Sequence, residues 1–131
     1  MNRITIAAVL GAAWVAAGAA FAADFDGSKR LICATVEARD CVSGSPCYRG
    51  LPREIGAPNF FRVDFEKKSL IGPQRTTAIR AMEKDDAQLL LQGVELGYLW
   101  VVALDRASGG FSASLTNRDG AFVLFGSCTP L

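Results

Sequence analysis

Residues 98–125, YLWVVALDRASGGFSASLTNRDGAFVLF, hold three short apolar runs separated by two turns. Tyr98 to Leu104 is apolar on both faces, as a central strand of a sheet is. Asp105 to Gly110 supplies a glycine-containing turn. After it, Phe111, Ala113 and Leu115 alternate with Ser112, Ser114 and Thr116. That period of two belongs to a half-buried strand. Asn117-Arg118-Asp119-Gly120 carries the Asp-Gly pair that favours a tight hairpin, and Ala121 to Phe125 follows as the return strand.

The same pattern continues outward toward the N-terminus. Leu31 to Val36, Phe60 to Phe65, Ser69 to Gly72, Thr76 to Met82 and Leu89 to Val94 read as further strands. In Phe60 to Phe65, the apolar Phe61, Val63 and Phe65 alternate with Arg62 and Asp64. The polar run Glu83-Lys84-Asp85-Asp86 is a turn. The stretch from Val42 to Pro58 holds three glycines and three prolines, so it reads as irregular, with room for a helical turn around Arg53 to Gly56. The expected fold is all-β: seven to eight strands in a small antiparallel meander, closed as a barrel or folded as a sandwich. The barrel is preferred, because tying the terminal strands together removes exposed edges. Strand order and oligomeric state are not given by these patterns.

The N-terminus has a different grammar. Arg3 is followed by an uncharged run from Ile4 to Ala20, and Ala20-Phe21-Ala22 places small residues where a signal peptidase needs them. Residues 1–22 are therefore expected to be a signal peptide, cut before Ala23, with residues 23–131 as one β domain. A retained membrane helix is the competing reading, but the run is mostly Ala and Gly and no cationic cluster follows it directly. No Cys stands at the cut to carry a lipid anchor. The 109 residues left suit one domain, and a chain of that size buries roughly two-thirds of its unfolded surface. Without Arg3, 13 basic residues face 13 acidic ones. A neutral chain argues against nucleic acid as a partner and against strong attraction to anionic lipid.

Four cysteines, Cys33, Cys41, Cys47 and Cys128, make an even count for a small exported domain, which points to two disulfides. Three connectivities are open. Cys41–Cys47 with Cys33–Cys128 is the expected one, since the first closes a loop containing Gly44 and Pro46 and the second joins the first and last strands. A four-thiolate zinc site lacks the close Cys pairs such sites show.

Searching the chain for chemistry is mostly subtraction. There is no His, which removes Ser-His-Asp and Cys-His nucleophile systems and the commonest metal ligand. Gly110-Phe111-Ser112-Ala113-Ser114 lacks the last glycine of a nucleophile elbow and sits on a strand. Asp85-Asp86 is an adjacent acidic pair whose members point to opposite faces of an extended chain. No Cys-x-x-Cys pair supports thiol redox work. The expectation is a protein that is not an enzyme and uses neither metal nor cofactor.

Two features can carry binding. The loop from Tyr48 to Pro58 sets Tyr48, Arg49, Arg53 and Glu54 among glycines and prolines, pinned at one end by Cys47. Its plainer reading is a crossover whose charges face water. The second feature is an interior lined by Tyr98, Trp100, Phe111 and Phe125, which either fills a core or encloses an apolar ligand. Core filling is the default. Charge is also segregated: residues 49–80 are rich in Arg and Lys and residues 81–105 in Asp and Glu, which suggests charge pairing between neighbouring strands.

Phe61-Arg62-Val63-Asp64-Phe65 with Lys67-Lys68, together with Phe125-Gly126-Ser127-Cys128-Thr129, resembles a family of small secreted proteins from Gram-negative bacteria that has no assigned activity. The resemblance implies a periplasmic or extracellular β domain and carries over no functional residue. The expected role is an exported interaction protein that docks a periplasmic or extracellular protein partner, as an envelope accessory factor or a hydrolase inhibitor. A ligand-binding barrel and an enzyme working with carboxylates alone are the alternatives.

Overall fold

The computed structural model describes residues 24–131. The expected signal peptide, residues 1–22, and the expected cut before Ala23 lie outside the described residues. Ten antiparallel strands follow: β1 (Leu31–Cys41), β2 (Tyr48–Gly50), β3 (Phe60–Asp64), β4 (Ser69–Ile71), β5 (Thr76–Ala78), β6 (Ala81–Lys84), β7 (Gln88–Glu95), β8 (Tyr98–Asp105), β9 (Gly110–Thr116) and β10 (Ala121–Pro130). They form one sheet curled into a half-barrel, in the order β5-β4-β3-β1-β10-β9-β8-β7-β6, with β2 paired to β1. Among the described residues no helix is long and apolar enough to cross a membrane.

Ten strands replace the expected seven to eight for two local reasons. Tyr48–Gly50 forms a short strand inside the stretch read as irregular, because β1 runs on to Cys41 and offers it an open edge. Thr76 to Met82 is two strands and not one. The chain bends at Ile79 and Arg80, whose amides donate to Lys68 O (2.9 Å) and Gln92 O (2.8 Å). It pairs with β4 before the bend and with β7 after it. The two edges of the sheet are therefore consecutive in the chain. The helical turn expected near Arg53 is a single 3-10 turn, Pro52–Ile55. Asp64, read as an outward residue of β3, is buried, and its Oδ1 accepts from the Lys67 amide at 2.9 Å.

Both expected disulfides form. Cys41–Cys47 closes the loop beside β2, and Cys33–Cys128 crosses β1 and β10, where the two residues are direct partners in the ladder. The long bridge spans 95 positions. On a loop-entropy estimate it stabilises by about 4–5 kcal/mol, and the short one by about 2–3. Two disulfides in so small a domain suit an oxidising, non-cytosolic compartment.

Curvature between β1 and β10 has a visible cause. The ladder slips at Thr35–Glu37, a β-bulge, and Gly126 lies opposite it. A Cβ on Gly126 would stand 1.9 Å from the Ala34 carbonyl oxygen, so only glycine lets the strands bend so close. One end of the half-barrel is stoppered by the segment before β1. Phe25 packs onto the core and occupies the space above Gly109, and Gly27 lies beside Phe65 and Leu89. At the same end, Asp85 Oδ1 accepts from the Ala87 and Gln88 amides, and Asp105 Oδ1 from those of Ala107 and Ser108, all at 2.8 Å.

A Cys33→Ala/Cys128→Ala double variant should lose about 4–5 kcal/mol in urea unfolding, against about 2–3 for Cys41→Ala/Cys47→Ala. Equal losses would mean that the terminal strands do not need their covalent tie. The amides facing Asp85 and Asp105, those of Gln88 and Ser108 foremost, hold both carboxyls below the usual carboxylate range. Their stabilisation is thus full above about pH 4 and lost as pH falls through the lowered values. Asp85→Asn/Asp105→Asn keeps the acceptors without the charge, so it should flatten the acid limb of a plot of Tm against pH.

Candidate functional site

Side chains that face inward form three layers, set by strand register. Next to the stoppered end, Leu89, Leu104, Phe111 and Gly126 are neighbours across β7, β8, β9 and β10. The middle layer is Leu91, Val102, Ala113 and Leu124, and the outer layer is Gly93, Trp100, Leu115 and Phe122. In the first layer Leu89, Leu104 and Phe111 are buried, and Phe111 meets Phe61 edge to face at 5.2 Å. That end is solid. In the middle layer Ala113 stands between Val102 and Leu124 and leaves the wall short of side chain.

The space so left is a cavity of about 480 Å³, open at the end away from Phe25. Its walls are Phe61, Leu70, Trp100, Val102, Ala113, Leu115 and Leu124. Tyr98 and Phe122, with ring centroids 5.8 Å apart, stand near the opening. The rim comprises Arg53 and Asn59 from the loop before β3, Gln74 and Arg75 before β5, and Glu95 and Leu96 at the β7–β8 turn. A volume of this size lies within the range of small-molecule sites, about 300–1,000 Å³.

Trp100 is fixed in the wall. Its Nε1 donates to Thr77 Oγ1, and that hydroxyl donates to the Val94 carbonyl, both at a long 3.4 Å. These bonds lace β5, at one edge of the sheet, to β7 and β8 near the other. Gly93 makes the lacing possible. A Cβ there would lie 2.3 Å from the indole Cζ2 and 2.6 Å from the Ala78 carbonyl oxygen. At the rim, Leu96 has φ 49° followed by Gly97 at φ 80°. A left-handed turn commonly takes Asn or Gly at the first place, because a side chain there costs about 1–2 kcal/mol. An exposed leucine held in that conformation on the lip of an apolar cavity is a local strain of the kind that gathers at functional sites.

The loop expected to bind is at the cavity mouth, but only part of it faces in. Arg53 lines the rim, whereas Tyr48, Arg49 and Glu54 do not. Arg49 Nη2 reaches Glu37 Oε2 at 3.4 Å, and Glu54 Oε2 accepts from the Leu51 amide at 3.0 Å, which caps the 3-10 turn. Tyr48 is 61 % exposed with its ring over Gly50. Of the four aromatic residues expected inside, Tyr98 and Trp100 line the cavity and Phe111 is core. Phe125 points outward instead, since it is a ladder partner of Glu37 and Ser112 on the outer face. Charge pairing between residues 49–80 and 81–105 is also absent: among the described residues no ion pair joins the two segments. Those segments occupy opposite halves of the sheet and meet at the bend and along the Thr77–Val94–Trp100 seam.

Arg75, Glu95 and Leu96 were not singled out from sequence. The usable signals were the isolated Gly93 inside a strand, which marks a close approach, and Leu96-Gly97 at a hairpin position. Among the described residues no group of three His, Cys, Asp or Glu side chains is placed to hold a metal ion. Comparison with protein-family models, with curated proteins and with solved structures finds no match, so nothing there bears on the Gram-negative resemblance.

Gly93→Ala should cost about 1–3 kcal/mol, because the obstructing Ala78 oxygen is backbone and cannot swing aside. Trp100 is the sole tryptophan after residue 24, so its emission should move to the red as the indole loses its place. Unchanged emission with unchanged stability would mean the seam has slack.

Proposed function

We propose that this protein is an exported binding protein that holds a small, largely apolar molecule in the open end of its half-barrel. One observation carries the proposal: an apolar cavity of about 480 Å³ that is stoppered at one end and open at the other. A core that existed only for stability would fill this space, as the layer beside Phe111 does. Packing of natural interiors leaves few voids larger than a water molecule. The hand-over at Ile79–Arg80 makes the half-barrel, in effect, an eight-stranded ring, with β5 and β6 serving as one bent strand. The cavity walls come from β3, β4, β5, β8, β9 and β10 of that ring. Export rests on the two disulfides and on the signal-like residues 1–22.

A second reading, docking of a protein partner as an accessory factor or inhibitor, is favoured by one observation. Tyr48 and Leu51 are both more than half exposed on a segment held by β1 and by Cys41–Cys47. Rigid exposed aromatic residues are common interface anchors. Carboxylate-only catalysis draws less support, since Glu95 is the one acid among the described residues lining the cavity and such chemistry takes two.

The test is a titration with the neutral dye N-phenyl-1-naphthylamine, read through dye emission and Trp100 quenching. Ala113→Phe projects a ring into the cavity and should weaken the dye by about tenfold or more while leaving far-UV CD and Tm near those of the parent. Tyr48→Ala should leave dye binding unchanged. A parent protein that ignores the dye, or an Ala113→Phe variant that binds it equally well, would overturn the cavity reading.

A further inference from the structure

The cavity wall is apolar, but its rim is not evenly so. Arg53 and Arg75 both stand on it, carried by the loop before β3 and the β4–β5 loop. Glu95 and Leu96 stand at the β7–β8 turn. Among the described residues neither arginine makes an ion pair or a side-chain hydrogen bond, whereas Arg39, Arg49 and Arg106 each have an acceptor. Their backbones are nonetheless fixed. Arg53 sits in the 3-10 turn closed by Glu54 N to Leu51 O (2.9 Å) and Ala57 N to Pro52 O (2.8 Å). The Arg75 carbonyl accepts from the Gly72 amide at 2.7 Å. Two guanidinium groups on rigid loops, free of protein partners, beside the mouth of a greasy cavity, make a place for an anion attached to an apolar body. Guanidinium is well matched to carboxylate and phosphate oxygens, and such charge-assisted bonds are stronger than neutral ones.

We propose that the ligand is an amphiphile with one anionic head group, its apolar body inside the half-barrel and its head on Arg53 and Arg75. The proposal rests on the cavity being a ligand site and adds the chemistry of the head. Glu95 has a part in it. Glu95 is half-buried on the same rim beside Val94, whose carbonyl meets Thr77 of β5, and its negative charge offsets part of the attraction for an anion without making a cationic head preferred overall. Carboxylate and phosphate heads share this chemistry.

Four twelve-carbon probes, each below its micelle concentration, separate the possibilities through Trp100 emission: dodecanoate, dodecyl phosphate, dodecanol and dodecylammonium. The anionic pair should bind about tenfold more tightly than dodecanol, with dodecylammonium weakest, and the preference should shrink as salt screens the rim. The stronger of the two anions identifies the head group. Arg53→Gln and Arg75→Gln should each weaken dodecanoate by about three- to tenfold and leave dodecanol unchanged. Glu95→Gln should strengthen dodecanoate. If dodecanol binds as tightly as dodecanoate, or if both arginine variants bind dodecanoate like the parent, the head-group proposal fails while the cavity reading stands. If none of the four binds, both fail.

Discussion

Cys33 and Cys128 face one another across the ladder of β1 and β10, 95 positions apart in the chain, and the rest of the fold is organised around that joint. Local hairpins can assemble the runs from β3 to β6 and from β6 to β10 with short loops. They cannot by themselves bring the first strand between β3 and β10. The disulfide removes much of the entropy that opposes this long closure. Within the same pair of strands, the bulge at Thr35 and the bare Gly126 supply the bend that turns a sheet into a half-barrel. Tie and bend act together, since a flat sheet would leave both faces wet.

Packing then changes in character along the half-barrel. At the end covered by Phe25, Leu89, Leu104 and Phe111 fill the interior. Two strand steps away, Ala113 and Gly93 occupy inward positions where larger side chains would close the space, and Gly93 gives its room to the Trp100 indole. The solid end supplies the hydrophobic stabilisation and the open end gives some of it up. A small domain has little margin for such a concession, which is why two disulfides accompany it. The Trp100–Thr77–Val94 bonds fix the indole at the point where the sheet's edges approach, so the wall of the cavity and the closure of the curl share one set of contacts.

Charge follows a similar division of labour. Glu37 gathers Arg39 and Arg49 on the outside, and the aspartates at the stoppered end are spent on turn amides. Arg53, Arg75 and Glu95 are left at the mouth without such duties. The neutral net charge of residues 23–131 conceals this local asymmetry, so a statement about overall charge says little about a rim of a few residues.

Sequence by itself determined what is local. Period-two alternation marked most strands, the Asp-Gly and glycine-rich breaks marked the turns, and the spacing of four cysteines in an export-type chain favoured the pairing that forms. The cysteines also implied that the first and last strands would meet. What depends on register across distant strands was decided only in the tertiary structure. Thr76 to Met82 reads as one strand because no Gly, Pro or turn cluster interrupts it, yet two different neighbours claim its halves. Phe125 reads as inward from its apolar run and lands outside, because the β9–β10 register turns its neighbours Leu124 and Gly126 inward beside Ala113 and Phe111. Tyr48, Arg49, Arg53 and Glu54 look alike as residues of one loop, and only the fold sends Arg53 alone to the cavity. Arg75 and Glu95 join it from loops with no sequence link to it. A cavity is the absence of a side chain among neighbours brought from several strands, and no single stretch of sequence contains that information.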